Sequence, residues 1–197
     1  MQSCSYDLLK EASYMSNLEI LMCPPDFFSL DYSINPWMNT DLKIDGDLAK
    51  KQWNQLKETV ETCGTVKVLE PQPGVPDLVF TANAAVIKGK KAVLARYMHP
   101  ERQGEEPFNL AWFRSNGYEV IEPPKELFFE GAGDALYDRI KGDLWGGYGP
   151  RTKLEGLEFL ESSLGVKVHK LELATEKFYH IDTVSYTHLT LPTNREV

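Results

Sequence analysis

The chain has 197 residues, 42% of them hydrophobic and 25% charged, which is the composition of an ordinary globular domain with room for a sizeable core. A formal net charge of −8 argues against a nucleic-acid surface but suits a cationic small molecule. No stretch approaches the length of a bilayer span, and the first residues, MQSCSYDLLKEAS, lack a basic flank followed by an apolar core. Cys4, Cys23 and Cys63 are an odd set without CxxC spacing, so the expectation is a reducing cytoplasm and no disulfide framework.

In chain order, LEILMC, near Leu18, reads as the first strand. A helix is expected from about Asp47 to Thr62. Its apolar residues Ala49, Trp53, Leu56, Val60 and Cys63 step by four, three, four and three, predicting one buried stripe. Gly64 stops it and TVKVLEP follows as a strand. FTANAAVI and KAVLAR form a candidate hairpin about Lys88-Gly89-Lys90. A second helix starts near Pro107, carries Phe108, Ala111 and Trp112, and ends at Asn116-Gly117 before the strand YEVIEP. GDALYDR and GDLWGGY form a second hairpin about Gly142. The third helix opens with Thr152 and Glu155 at capping-box spacing and presents Leu154, Leu157 and Leu164. Gly165 ends it, VKVHKLEL is its strand, and FYHIDT is expected to begin a further strand. The unit strand, strand, helix, strand recurs about every 50 residues, so the fold class is α/β with internal repeats whose loops converge at one end of the strands.

Those loops carry the polar residues. SINPWM holds Asn35; PDLVFTANAA holds Asp77, Phe80 and Asn83; HPERQGEE holds Arg102; FEGAGDAL holds Glu130 and Asp134 around two glycines; GGYGPRT holds Arg151; FYHIDT holds His180 and Asp182 at strand spacing, on one face. Singly each has an ordinary explanation as a turn former, a solvated arginine or a packed ring. Together they fall at corresponding edges of the repeat. No metal-ligand set and no nucleotide loop is evident, so neither metal nor cofactor is expected.

The motifs CPPDFFSLDYSINPWM, PDLVFTANAA, HPERQGE, FEGAGD and FYHIDT resemble those of the pentein superfamily of guanidino-group-modifying enzymes. They are similar to arginine dihydrolases, dimethylarginine dimethylaminohydrolases, arginine deiminases and amidinotransferases. The resemblance runs from about Leu18 to Thr183 and implies an α/β-propeller of five ββαβ modules, of which this chain would supply about three. It implies an arginine-like substrate, with Glu130 gripping the guanidinium and Asp77 and Asn83 as its partners. His180 would be general acid and then general base, and Arg102 and Arg151 would hold the substrate carboxylate, with Arg96 as an alternative. Asp134 and Asp182 would orient their neighbours. Asn35 and Asn83 are amides, which donate and accept, so both a guanidinium and a neutral ureido group are suitable ligands. That favours two successive hydrolyses, from arginine to ornithine; a dimethylarginine dimethylaminohydrolase, an amidinotransferase or a non-catalytic binding protein remains open.

The nucleophile implied by the resemblance is a cysteine in the last module, and none of Cys4, Cys23 and Cys63 sits in its motif. The catalytic cysteine is therefore expected to be missing from this chain. The tail VSYTHLTLPTNREV, residues 184–197, changes character abruptly, and its back-translation resembles a sequencing adapter read in frame. It is expected to be foreign, with His188 and Arg195 carrying no function and the partial catalytic domain covering 18–183. A ring short of modules would expose apolar faces, which predicts poor solubility or self-association and leaves an oligomer possible.

Overall fold

The computed structural model describes residues 18–138 and 141–184, so Cys4 and most of the 184–197 tail lie outside the described residues. Two compact units are present: residues 18–29 with 43–81, and residues 30–42 with 82–138 and 141–184.

The N-terminal unit contains β1 (Glu19–Met22), α1 (Gly46–Glu61) and β2 (Thr65–Val68), with β1 and β2 paired in parallel. Asp45 caps α1 by accepting a hydrogen bond from the Leu48 N–H at 3.0 Å. The helix forms where its period places it, but the expected buried stripe does not: no residue of α1 is buried, and Leu56 is exposed. Within its own unit the helix has only a two-stranded sheet to pack against. This unit is a βαβ arrangement, one strand short of the expected repeat among the described residues.

The larger unit holds two complete ββαβ modules. In the first, β3 (Ala85–Lys88) and β4 (Lys91–Leu94) form a tight hairpin. The chain then runs through α2 (Pro100–Gln103) and α3 (Glu106–Ser115) to β5 (Glu119–Ile121), parallel to β4. In the second, β6 (Ala135–Tyr137) pairs antiparallel with β7 (Leu144–Tyr148), and α4 (Leu154–Leu164) returns the chain to β8 (Val168–Glu172), parallel to β7. Short apolar runs such as Ala85-Val86-Ile87 and Ala92-Val93-Leu94 form the strands of the first module, and the helices supply the crossovers that parallel pairing requires.

Both modules share one core of Val86, Val93, Phe129, Ala135, Leu144, Leu157, Leu160, Leu164 and Val168. Each fully buried aliphatic side chain here is worth about 1.5–3 kcal/mol relative to exposure. Leu160 replaces Leu154 on the inner face of α4, since Leu160 is fully buried and Leu154 is partly exposed. Outside the sheets, Arg96 and Phe129 exchange backbone hydrogen bonds of 2.8 and 2.9 Å, which ties the end of β4 to the residue before Glu130.

Three local expectations are corrected. Thr81–Ala84 forms a 3-10 turn, so β3 begins only at Ala85. Thr152 does not cap α4: the cap position is Lys153, without a side-chain bond, and the Thr152 hydroxyl is engaged elsewhere. FYHIDT begins no strand; residues 181–184 are helical, and the Ile181 N–H is drawn to the Asp134 carboxylate at 3.2 Å, a side-chain partner that no ladder would supply.

Candidate active site

The loops at the module ends of the larger unit bring six expected residues together: Asn83, Arg102, Glu130, Asp134, Arg151 and His180. Asn83 comes from the 3-10 turn before β3 and Arg102 from α2. Glu130 and Asp134 flank the 3-10 turn Gly131–Gly133. Arg151 precedes α4, and His180 follows β8. The turn between Glu130 and Asp134 must be glycine-rich for a steric reason. A Cβ on Gly131 would stand 2.5 Å from the Asn83 carbonyl oxygen, and one on Gly133 would stand 2.3 Å from Asn83 Nδ2.

Glu130 is fully buried and is the hub. Its Oε2 accepts from Arg102 Nη1 at 3.3 Å and from Arg151 Nη1 at 3.1 Å, and its Oε1 accepts from Arg151 Nη1 at 3.2 Å. His180 Nε2 lies 3.4 Å from the same Oε2. Burial alone would raise the Glu130 pKa, but His180, Arg151 and Arg102 outweigh it and hold the group below the ordinary carboxylate value. It is an anion in the fold.

His180 is held from its other nitrogen, Nδ1, which lies 3.0 Å from Asp134 Oδ2. Burial works against its charge, yet the hydrogen bonds to Asp134 and Glu130 prevail and lift its pKa to about 9. At neutral pH it is therefore an imidazolium, with Nδ1–H donated to Asp134 and Nε2–H turned toward Glu130. The Asn83 amide nitrogen, 3.5 Å from Nε2, makes its own hydrogen bond to the Glu130 carbonyl at 3.1 Å.

The two arginines are fixed by more than Glu130. Arg102 donates Nε and Nη2 to the two oxygens of Glu105, at 2.7 and 2.9 Å, and its guanidinium lies 4.4 Å from the centre of the Tyr97 ring. Arg151 donates Nη2 to the Ile34 carbonyl at 3.1 Å and stands 5.0 Å from the Tyr179 ring centre. Asn35 is half-buried next to Ile34, and its Oδ1 accepts from the Trp37 N–H at 3.0 Å, a local turn bond. Asp182 sits on the helical turn beyond His180, its carboxyl pushed upward by burial. Arg96 pairs with Glu106 and donates to the Pro123 carbonyl at 2.9 and 3.2 Å.

Asp77 and Phe80 belong to the N-terminal unit. Asp77 is buried in the 3-10 turn Pro76–Val79, and Phe80 is half-exposed with its ring edge-on to Phe28 at 6.0 Å. Sequence reasoning missed Glu105, Tyr97 and Thr152. Glu105 was findable, since it stands three residues after Arg102. Tyr97 carries no local signal, and the signal of Thr152 pointed to a helix cap. Among the described residues no group of three His, Cys, Asp or Glu side chains is placed to hold a metal. No helix among them is long and apolar enough to cross a membrane.

The repeated ββαβ modules, with polar loop residues gathered at their ends, are the pentein fold of the guanidino-modifying enzymes. The chain belongs to the N,N-dimethylarginine dimethylhydrolase family, whose eukaryotic family profile matches residues 31–186. It is 48% identical over 168 residues to the bifunctional arginine dihydrolase/ornithine cyclodeaminase ArgZ of Synechocystis sp., a match covering 85% of this chain and 24% of that protein. It is 39% identical to the N(G),N(G)-dimethylarginine dimethylaminohydrolase of Mycobacterium tuberculosis, covering 82% of this chain and 53% of the relative. The N-terminal domain of ArgZ, a cyanobacterial arginine dihydrolase solved as a cysteine-to-serine mutant bound to substrate, superimposes with a TM-score of 0.81 at 47% identity. That match covers 85% of this chain and 62% of the solved one. The chain thus spans about a quarter of the bifunctional relative and about half of the mycobacterial one.

Proposed function

We propose that this chain is part of a hydrolase that opens the guanidino group of arginine or an arginine derivative by a covalent Cys-His-Glu mechanism. Residues 18–183 form part of the catalytic domain, and 184–197 are a foreign tail. The observation that carries the reading is the buried pair of Glu130 and His180, with His180 held by Asp134 and charged at neutral pH.

In this reading the guanidinium lies against Glu130, with Asn83 as a further acceptor, and Asn35 contributes to substrate binding. A cysteine thiolate bonds to the central carbon, and the carbon–nitrogen bond to the departing amine breaks as His180 delivers a proton to that nitrogen. The imidazole, now neutral, takes a proton from water as the hydroxide adds to the same carbon. Collapse of that adduct breaks the carbon–sulfur bond and releases the thiolate. Arg102 and Arg151 hold Glu130 in place, and Asp134 and Asp182 orient their neighbours.

The thiolate comes from sequence outside this chain. Cys23 is buried with its thiol on the Pro24 carbonyl, and Cys63 bonds the Val60 carbonyl, both in the N-terminal unit, so each thiol is engaged locally. Of the possible guanidines, unsubstituted arginine is preferred. Asn83 supplies a neutral amide that tolerates guanidinium and ureido groups alike, and the relatives named arginine dihydrolase are 48% and 49% identical, against 39% for the dimethylarginine enzyme.

Calorimetry of the full chain with arginine, citrulline and dimethylarginine tests the binding half of this reading. Arginine binding that disappears in Glu130→Gln supports it, and arginine binding unaffected by that change refutes the role of Glu130. The chemical half is tested by extending the reading frame past Thr183 and assaying the product. Ornithine with two equivalents of ammonia supports two hydrolyses, citrulline limits the reaction to one, and an amidino product formed with added glycine makes it a transferase.

A further inference from the structure

We propose that Thr152 is a positioning residue of this site, its hydroxyl a single bridge that locks the Glu130 backbone to the Asp134 carboxylate and limits how strongly Asp134 draws the His180 proton. The inference rests on the reading of Glu130 and His180 as the working pair.

Thr152 is fully buried, and both capacities of its hydroxyl are used within the site. Oγ1 accepts from the Glu130 N–H at 3.1 Å and donates to Asp134 Oδ2 at 2.6 Å. That Oδ2 is the atom that faces His180 Nδ1 at 3.0 Å. Asp134 Oδ1 is separately taken by the Ile181 N–H at 3.2 Å, so the aspartate cannot turn to compensate. The threonine backbone is itself pinned, because its carbonyl accepts from the Gly149 N–H at 2.8 Å. One hydroxyl thus spans Glu130, which comes from the start of the second module, and the acid that orients His180.

A carboxylate oxygen shared by two donors is a weaker attractor for each of them. With the hydroxyl present, the Asp134 charge is divided between Thr152 and His180; without it, the charge falls on His180 alone. The other groups facing His180 are Glu130 and Asp182, with the Asn83 amide near Nε2 and the Tyr179 ring 4.9 Å away, while Arg102 and Arg151 act through the Glu130 they share. Of these only Glu130 touches the Thr152 hydroxyl, through its backbone N–H rather than the carboxylate that faces His180.

The test is an NMR titration of the His180 imidazole in the full chain, assigned by its disappearance in His180→Gln, for Thr152→Val, Thr152→Ala and Thr152→Ser. Valine keeps the volume without the hydroxyl, alanine only removes atoms, and serine keeps the donor. The expected result is a rise in the His180 pKa on the order of one pH unit in the valine and alanine variants, the scale of one hydrogen bond to a charged acceptor. Serine should restore the original value. A pKa that stays put or falls toward the ordinary histidine value in the valine and alanine variants overturns the proposal. So does a serine variant that titrates like valine, or valine and alanine variants that fail to fold where serine folds, since any of these leaves Thr152 a purely structural residue. The titration needs no ligand, so it stands or falls separately from whether the chain binds arginine.

Discussion

Raising the pH should destabilise this protein in a window set by one side chain. In the fold the His180 pKa is lifted from 6.5 to about 9 by Asp134 and Glu130 against the opposing effect of burial, so the folded chain binds the proton more tightly than the unfolded chain. The resulting stability is fully present below 6.5 and is lost as pH rises through about 9. The interval between the two values corresponds to roughly 3 kcal/mol, a large part of the 5–15 kcal/mol that a domain ordinarily has. Urea unfolding followed between about pH 6 and pH 10 reads this loss directly. Tyr97, whose phenol is pushed well above 10 chiefly by burial, bounds the range at the alkaline end. In His180→Gln the slope should flatten across the same window. A wild-type profile flat from pH 6.5 to about 9, or a variant with the wild-type slope, would show that the imidazole is not held as a charged group.

Three further outcomes are expected. Glu105→Gln removes the carboxylate that takes Arg102 Nε and Nη2, leaves the buried guanidinium to Glu130 alone, and should cost about 3 kcal/mol in urea unfolding; a cost like that of an exposed pair, under about 1 kcal/mol, would refute the pairing. Gly131→Ala, at φ 60° and 2.5 Å from the Asn83 carbonyl, should destabilise far more than Gly74→Ala, which has φ 80° but open space; similar losses of about 1 kcal/mol at both would show that the close approach is not real. Deleting residues 184–197 should leave the melting temperature unchanged, and a clear drop would mark the tail as part of the fold.

The repeat was legible because hydrophobic period and glycine punctuation coincide at every helix end, from Gly64 to Asn116-Gly117 and Gly165. Tertiary partners decided the rest. The α1 stripe has the right spacing, yet burial depends on what lies opposite, and its own unit offers two strands. Thr152 with Glu155 spells a capping box, but a capping hydroxyl contributes only about 1 kcal/mol. A donor to the buried Asp134 prevents a larger loss, so the hydroxyl goes there. His180 and Asp182 have strand spacing, but Asp134 takes the Ile181 N–H and residues 181–184 turn helical. Six of the ten proposed site residues meet in one cluster because PDLVFTANAA, HPERQGE, FEGAGD, GGYGPRT and FYHIDT place them at the ends of the modules of the larger unit. Tyr97, whose ring lies against Arg102, was invisible because its importance exists only once Arg102 is buried, whereas the i, i+3 spacing of Glu105 to Arg102 was there to be read.

That burial is itself an argument about purpose. Arg102, Arg151 and a charged His180 face Glu105, Glu130 and Asp134 in a region from which water is nearly excluded. Desolvating six charges costs several kcal/mol each, and their mutual attraction rarely does more than cancel that cost. A fold selected only for stability gains more from apolar side chains at these positions, and the adjoining core of Phe129, Leu144 and Leu157 shows that the modules can supply them. What the charges provide is a carboxylate kept ionised, an imidazolium kept protonated and two arginines kept in fixed orientation, all without solvent reorganisation. On the proposed function, a planar cation that enters such a site exchanges water for acceptors already in place, and the expense of burying the cluster is met before it arrives.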